Sequence, residues 1–243
     1  MRILTLGNSS EAGAWVPMEQ RRYVLAAERL SERLGEPVEP VFRRCWPTPD
    51  FPARFLEQDK PDLVVLRVPA GYVCIESVPL KFERQFGRAG RKVAAAGVKS
   101  SGIRWLAFNP VYRGARWSLK QVLGGATYFT PGEVLESIDG ALRVIGRREG
   151  VGIVVEGPAG IVHFGVTGRE RARSEGRRIA LHKPLAELCQ KYHIEYIGYG
   201  TAVNAGGVRN RLGDATHGNA VEHAERAETD VAAILRVLER QRD

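Results

Sequence analysis

Two short stretches near opposite ends of the chain carry residue types that together could hydrolyse an ester. The first is Gly7-Asn8-Ser9, which Gly13 follows closely. A serine hydroxyl becomes nucleophilic when a histidine removes its proton and a carboxylate holds that histidine in the required tautomer. The second stretch, Asp214-Ala-Thr-His217, supplies a carboxylate and an imidazole within one turn of chain. The pattern predicts a catalytic triad of Ser9, His217 and Asp214.

Each stretch also has an ordinary structural interpretation. Asn8 and Ser9 are typical residues of turns and helix caps. Asp214 could cap the helix that follows it, with His217 as a surface histidine. Either stretch alone leaves both interpretations open, so their positions relative to the strands and helices matter.

Strands and helices alternate along the chain. Strands are predicted at residues 2–6, 38–42, 62–68, 151–155 and 195–197, where the sequence is apolar and rich in β-branched side chains. Apolar residues at helical spacing predict helices at residues 19–34, 51–58, 79–96, 133–145, 169–192 and 217–240. We expect Gly176 and Pro184 to interrupt the fifth helix, and residues 97–131 are assigned to no element.

This alternation indicates a mainly parallel sheet with right-handed crossovers. We therefore predict an α/β fold, a three-layer αβα sandwich with a flavodoxin-like sheet of about five parallel strands, built as a single domain over residues 1–243. Ligands of such sheets bind beyond the carboxyl ends of the strands. The loops of interest then follow Leu6, Val68, Val155 and Ile197. Ser9 lies in the first of these loops, and Asp214 and His217 follow the last strand.

Both stretches resemble sequence blocks of a known family. Gly7-Asn8-Ser9-x-x-x-Gly13 resembles the first block of the SGNH (GDSL-type) hydrolases, with Asn8 where those enzymes commonly have Asp. Asp214-x-x-His217 before a final helix resembles their last block. The resemblance implies an esterase in which Ser9 attacks, His217 transfers the proton and Asp214 orients His217. The implied substrate is a small-molecule or glycan ester, such as an O-acetyl or short-chain acyl ester.

Two other blocks of the family pattern are missing. The chain reads Pro69-Ala70-Gly71 where the family has its oxyanion asparagine, and no glycine lies between positions 35 and 59 for the second block. Loss of one oxyanion donor typically costs ~10²–10³ in turnover. The candidate replacements are the backbone N–H groups of Ser9 and Gly71 and the side-chain amides of Asn109 or Asn204. The alternative is that both asparagines are ordinary turn residues.

Two further functions therefore stay open beside the esterase. One is a binding module that keeps the SGNH fold but has lost activity together with the asparagine. The other is a flavodoxin-like domain that binds a nucleotide or another anion at its strand ends. A nucleotide cofactor is not expected, because the glycines at residues 152–160 follow neither the GxGxxG nor the GxxxxGK[ST] order.

Composition and residue spacing limit the class of protein and the kinds of site that this chain can have. Hydrophobic residues make up 44% of the chain and charged residues 26%, which is typical of globular proteins. A metal site is not expected, because the histidines share no ligand spacing and the cysteines form no CxxC pair; these residues are His163, His182, His193, His223, Cys45, Cys74 and Cys189.

Net charge and hydropathy suggest where the protein acts. The net charge is +8, but the basic residues look dispersed over helix faces, so a nucleic-acid partner is not expected. No stretch approaches the roughly 18 apolar residues of a spanning helix, and the first residues lack a signal-peptide pattern. We therefore expect a cytoplasmic protein with no membrane partner. The sequence leaves the oligomeric state open.

Overall fold

A computed structural model of the chain describes residues 1–8, 12–13, 15–44, 52–68, 70–74, 76–101, 103–158, 168–198, 212 and 217–242. These residues form one sheet in which all neighbouring strands are parallel, in the order β2-β1-β3-β4-β5. The strands are β1 Arg2–Gly7, β2 Glu39–Arg44, β3 Leu63–Arg67, β4 Gly152–Glu156 and β5 Glu195–Ile197. The predicted α/β fold with a flavodoxin-like parallel sheet is confirmed.

Helices connect and cover the strands. They are α1 Arg22–Leu34, α2 Ala53–Asp59, α3 Ala70–Val73, α4 Val78–Ser101, α5 Arg104–Phe108, α6 Pro110–Leu123, α7 Pro131–Ile145, α8 Gly168–Lys191 and α9 Ala220–Arg242. A single 3-10 turn, Met18–Gln20, precedes α1. Among the residues described above, no helix combines the length and apolar character needed to cross a membrane.

The alternation of side chains along each strand divides the core into two layers. Leu4 and Leu6 of β1 point to the face covered by α7 and α8, with Ile138, Leu142 and Leu181 in the same core. Ile3 points to the opposite face, where α1 and α9 contribute Leu30, Val231 and Ile234. Successive strand residues face opposite sides, so buried strands are apolar throughout. This is the three-layer sandwich that the sequence predicts.

Two helical regions differ from expectation. α8 runs without a break through Gly176 and Pro184, so the predicted interruption is wrong. Pro184 removes one helix hydrogen bond, but the fully buried Leu181, Leu185 and Cys189 fix α8 against the sheet on both sides of it. Residues 97–131, which the sequence analysis assigned to no element, contain α5 and α6. Their apolar side chains show no core-facing stripe, because much of their apolar surface faces solvent.

Candidate active site

The loop after β1 leaves the carboxyl edge of the sheet at Asn8, which is buried. The carbonyl of Asn8 accepts a hydrogen bond from the N–H of Ala12 at 2.9 Å. Gly13 has a φ of 67°, and a Cβ there would lie 2.7 Å from Cγ of Arg21, so this position requires a glycine. Ser9 itself lies outside the described residues.

His217 lies against the loop that follows β1. Its half-buried ring meets the Trp15 ring edge-on, with 5.0 Å between the ring centroids. Trp15 has a φ of 65°, a conformation that costs energy for a side chain of this size and that clusters at functional sites. The other partner of the Trp15 ring is Phe108, at the end of α5, with centroids 5.5 Å apart. The structure therefore brings the segments after β1 and before α9 together.

The cap of the terminal helix is Asn219. Its Oδ1 accepts a hydrogen bond from the N–H of Glu222 at 3.1 Å, which satisfies one of the first N–H groups of α9. The capping role that the sequence left open for Asp214 thus belongs to another residue. Asp214 lies outside the described residues, as does Asn204.

A buried network of ion pairs lies directly below this edge of the sheet. Arg67 and Glu156 end the neighbouring strands β3 and β4, in register with each other. Arg22, at the start of α1, donates from Nη1 to Glu156 at 2.7 Å and from Nε to Asp230 of α9 at 2.7 Å. Arg67 Nη2 also donates to Asp230, at 2.6 Å, and Arg226 of α9 pairs with Glu156.

The members of this network are almost completely excluded from water. Arg22, Glu156 and Asp230 are each 1% exposed. Burial alone would raise the pKa of the Glu156 carboxyl, but the surrounding Arg22, Arg226 and Arg67 hold that pKa well below its usual range. The Glu156 carboxyl therefore stays ionised. The network connects α1, α9, β3 and β4, the elements that carry the loops of the candidate site.

His223, on the first turns of α9, belongs to the same buried layer. Its Nδ1 accepts a hydrogen bond from the backbone N–H of Arg22 at 3.1 Å. Nδ1 therefore carries no proton in this arrangement, and the imidazole ring is neutral. Burial, together with the charges of Arg226, Arg22, Arg67 and Arg21, lowers the pKa of His223 to about 3. This histidine joins the starts of α1 and α9 and is unsuited to proton transfer near neutral pH.

The depressed pKa of His223 predicts an acid-dependent loss of stability. The unfolded chain binds a proton at a pKa near 6.5, whereas the folded chain does not until about pH 3, so stability falls as the pH drops through this window. His223 should account for about 2 kcal/mol of unfolding free energy between pH 7 and pH 5. Urea unfolding of wild type and His223→Gln at both pH values measures this difference. The exposed His193→Gln serves as the matched control and should keep the wild-type pH dependence.

A second polar cluster lies beside β4 and the edge strand β5. His182 of α8 lies 2.5 Å from the Tyr196 hydroxyl through Nδ1 and 2.8 Å from Nη1 of Arg178 through Nε2. Nε2 also lies 3.1 Å from the carbonyl oxygen of Pro158, so it contacts both a donor, Arg178, and an acceptor, Pro158. Burial, reinforced by the charge of Arg178, lowers the pKa of His182. A Cβ at Gly157 would lie 2.3 Å from the Tyr196 hydroxyl, so this glycine permits the close packing.

The two described oxyanion candidates differ in their surroundings. Gly71 lies in the first turn of α3, directly after β3, where backbone N–H groups have no partner within the helix. Asn109 is the N-cap of α6, and its Oδ1 accepts hydrogen bonds from the N–H groups of Val111 at 2.9 Å and Tyr112 at 3.1 Å. Asn109 therefore has the local structural role that the sequence left open.

Neither described cysteine is suited to nucleophilic chemistry. Cys74 and Cys189 are free and fully buried, and burial raises the pKa of each thiol to about 12. A thiolate is the reactive form, so both behave as small core residues. Cys45 and His163 fall outside the described ranges. Within those ranges, no three His, Cys, Asp or Glu side chains are grouped so that they could hold a metal ion.

No family model matches this sequence, and no curated protein matches it either. Solved structures do match, over almost their full length. A carbohydrate acetylesterase family member from Sinorhizobium meliloti superposes with a TM-score of 0.59 at 12% identity, over 98% of this chain and 99% of the other. A lipase/acylhydrolase from Enterococcus faecalis gives 0.55 at 16% identity, over 97% and 94%. A proposed lipolytic protein of the G-D-S-L family from Desulfitobacterium hafniense DCB-2 gives 0.53 at 11% identity, over 96% and 98%.

This chain has the fold of the SGNH esterases and lipases. The resemblance inferred from the first and last sequence blocks is therefore confirmed at the level of the fold. In this fold, Trp15 of the segment after β1 contacts His217, which precedes α9. The roles of Ser9, Asp214 and His217 stay predictions.

The buried network is the part of the site region that sequence reasoning missed. Its signal was present in the sequence, because Arg67 and Glu156 are charged residues at the ends of otherwise apolar strands. Charged side chains are almost never fully buried unless they are paired. A charge at such a position therefore indicates a buried partner, although the sequence does not reveal which residue that partner is.

Proposed function

We propose that this protein is a serine hydrolase that cleaves an ester through Ser9, His217 and Asp214. The Ser9 hydroxyl attacks the acyl carbon while His217 accepts its proton. His217 then returns the proton to the departing alcohol, which leaves an acyl group on Ser9. Water attacks this acyl group, with His217 again as the base, and the acid is released. Asp214 orients His217 and stabilises its charged form.

The contact between Trp15 and His217 carries this proposal. Trp15 belongs to the short loop that begins with Ser9, and the two ring centroids lie 5.0 Å apart although the residues are far apart in sequence. A loop this short keeps Ser9 near the same edge of the sheet. The Asn219 cap adds support, because Asp214 is not needed to start α9 and can serve His217 instead.

The oxyanion formed during the reaction needs at least two donors. We propose the backbone N–H groups of Ser9 and Gly71, because both follow parallel strands at the carboxyl edge and Gly71 lies in the first turn of α3. This arrangement would replace the asparagine that is missing after β3. Asn109 is not part of the proposal, since its Oδ1 caps α6.

The substrate that we propose is an ester with a small acyl group on a sugar or another small alcohol. The structural neighbours include a carbohydrate acetylesterase family member and a lipase/acylhydrolase, so this fold accommodates both kinds of ester. Trp15 contacts His217, and Phe108 contacts Trp15, which supports an apolar wall for an acyl group.

Reaction with a fluorophosphonate probe tests the proposal directly. Only a serine activated by a base reacts quickly with this probe, so wild type should be labelled at Ser9 within minutes. Ser10→Ala is the matched control and should be labelled like wild type, whereas Ser9→Ala should not be labelled. An unlabelled wild type would favour the binding module without activity, and labelling that survives in Ser9→Ala would assign the nucleophile elsewhere.

A further inference from the structure

The three helices α4 to α6 form an insertion between β3 and β4 that carries an extreme charge. Residues 78–123 contain ten Lys or Arg residues and one acidic residue, Glu83, which gives a net charge of +9. The whole chain has a net charge of +8, so the rest of the chain is close to neutral. The basic residues are therefore concentrated in one region, contrary to the dispersed distribution expected from the sequence. Seven of them are exposed: Arg84, Arg88, Arg91, Lys92, Lys99, Arg104 and Arg116.

α6 exposes its apolar side to solvent. Val111, Ala115, Leu119 and Val122 are spaced by three or four residues and share one face of this helix, and all four are exposed. Val111 is 79% exposed and Val122 is 84% exposed. No residue of α6 is fully buried. An ordinary surface helix buries its apolar face, so this orientation is the reverse of the usual one.

The neighbouring helices add large apolar groups to the same insertion. Trp105 of α5 is 68% exposed, and Phe86 of α4 is also exposed, close to the kink where Gly87 has a φ of 52°. The insertion lies beside the candidate site, because Phe108 of α5 contacts Trp15 and Trp15 contacts His217.

We propose that the insertion formed by α4, α5 and α6 binds the surface of an anionic lipid bilayer. Helices with exposed aromatic and aliphatic side chains and many Lys or Arg residues lie in the interface of such bilayers. The apolar groups enter between the lipid headgroups, and the basic groups pair with lipid phosphates. This binding goes beyond the proposed esterase and does not rest on it. It also differs from the expectation that the protein has no membrane partner, since hydropathy detects only helices that span a bilayer.

A nucleic acid would neutralise the positive charge of the insertion but would not cover its exposed aliphatic side chains. Single strands stack their bases on aromatic side chains and leave exposed valine and leucine in water. The exposed Val111 and Val122 thus favour lipid over nucleic acid. A bilayer accounts for both the net charge of +9 and the outward apolar face of α6.

Co-sedimentation with vesicles tests the proposal. The full chain should sediment with vesicles that contain phosphatidylglycerol and remain in solution with phosphatidylcholine alone, and high salt should reduce binding. Ser9→Ala should bind like wild type, so the result is independent of catalysis. Arg88→Gln/Lys92→Gln should weaken partitioning about 25-fold, since each basic residue near the surface contributes about fivefold. Val111→Ser/Val122→Ser should weaken it by at least about tenfold.

Matched controls are available outside the insertion. Lys183→Gln/Arg147→Gln removes two exposed charges, and Ile179→Ser/Val221→Ser removes two exposed apolar groups. Both should bind anionic vesicles like wild type, with melting temperatures near that of the parent. Failure to sediment with anionic vesicles overturns the proposal, as does equal binding by the insertion variants. Salt-sensitive binding to an oligonucleotide without vesicle binding would assign the surface to nucleic acid. A dimer that Val111→Ser/Val122→Ser dissociates, again without vesicle binding, would assign it to a second copy.

Discussion

Replacement of Ser9 by alanine is expected to lower kcat/KM for p-nitrophenyl acetate by roughly 10⁴-fold or more, because the nucleophile of a triad has no substitute. His217→Ala should be about as damaging. The double variant should lose little beyond either single variant, since nucleophile and base act as one unit. Initial rates with each purified variant, together with a melting curve, measure both activity and folding. Additive losses would contradict a shared catalytic role.

Stability measurements separate the chemical role of Asp214 from a structural one. Asp214→Asn should reduce kcat while leaving the melting temperature unchanged, because the cap of α9 is Asn219. Asn219→Ala should instead lower the unfolding free energy by about 1 kcal/mol, as the loss of an N-cap usually does. A fall in melting temperature with Asp214→Asn, without esterase activity in the parent, would show that the stretch from Asp214 to His217 is structural only.

Replacement of Glu156 by glutamine is expected to destabilise the protein by about 3 kcal/mol or more. The carboxylate contacts Arg22 at 2.7 Å and Arg67 at 3.1 Å, and it also pairs with Arg226. Without its charge, the buried guanidinium groups of Arg22 and Arg67 would share Asp230 as their counter-charge, whereas Arg226 would keep its pair with Glu222. The midpoint and slope of urea unfolding give the change in free energy.

Glu228→Gln is the matched control for this network. Glu228 pairs with Arg29 and Arg33 at 3.1 Å in each case, but its side chain is 51% exposed. Pairs in water contribute little, so this variant should lose less than about 1 kcal/mol. Equal losses for the two variants would show that the buried network contributes no more than an ordinary surface pair.

The alternation of strands and helices could be predicted from the sequence because it depends on side-chain patterns within each element. β1 and β3 are short apolar runs that end in turns or charged residues, and α7 has its apolar residues at helical spacing. Within the unassigned residues 97–131, α6 also has apolar residues at helical spacing, but this stripe faces solvent rather than the core. A periodic stripe predicts a helix, but it does not tell which side of the helix faces the protein.

The candidate site, too, has features that the sequence predicts and features that only the structure reveals. Ser9 and His217 follow the first and last strands in the sequence, and parallel strands end at one edge, so topology alone predicts that the two residues share a location. The packing of Trp15 on His217 and the cap at Asn219 could be seen only in the folded chain.

By itself, the sequence determined the α/β fold, the number of strands and the two stretches that could carry chemistry. These depend on side-chain patterns within a few residues of one another. Only the tertiary structure decided which charges are buried together, since Arg22 and its partner Asp230 are 208 positions apart. It also decided that apolar side chains of the basic insertion, such as Trp105, Val111 and Val122, are exposed. Pairing and exposure are properties of neighbours in space, and the chain pattern specifies those neighbours only after the sheet and its helices have packed.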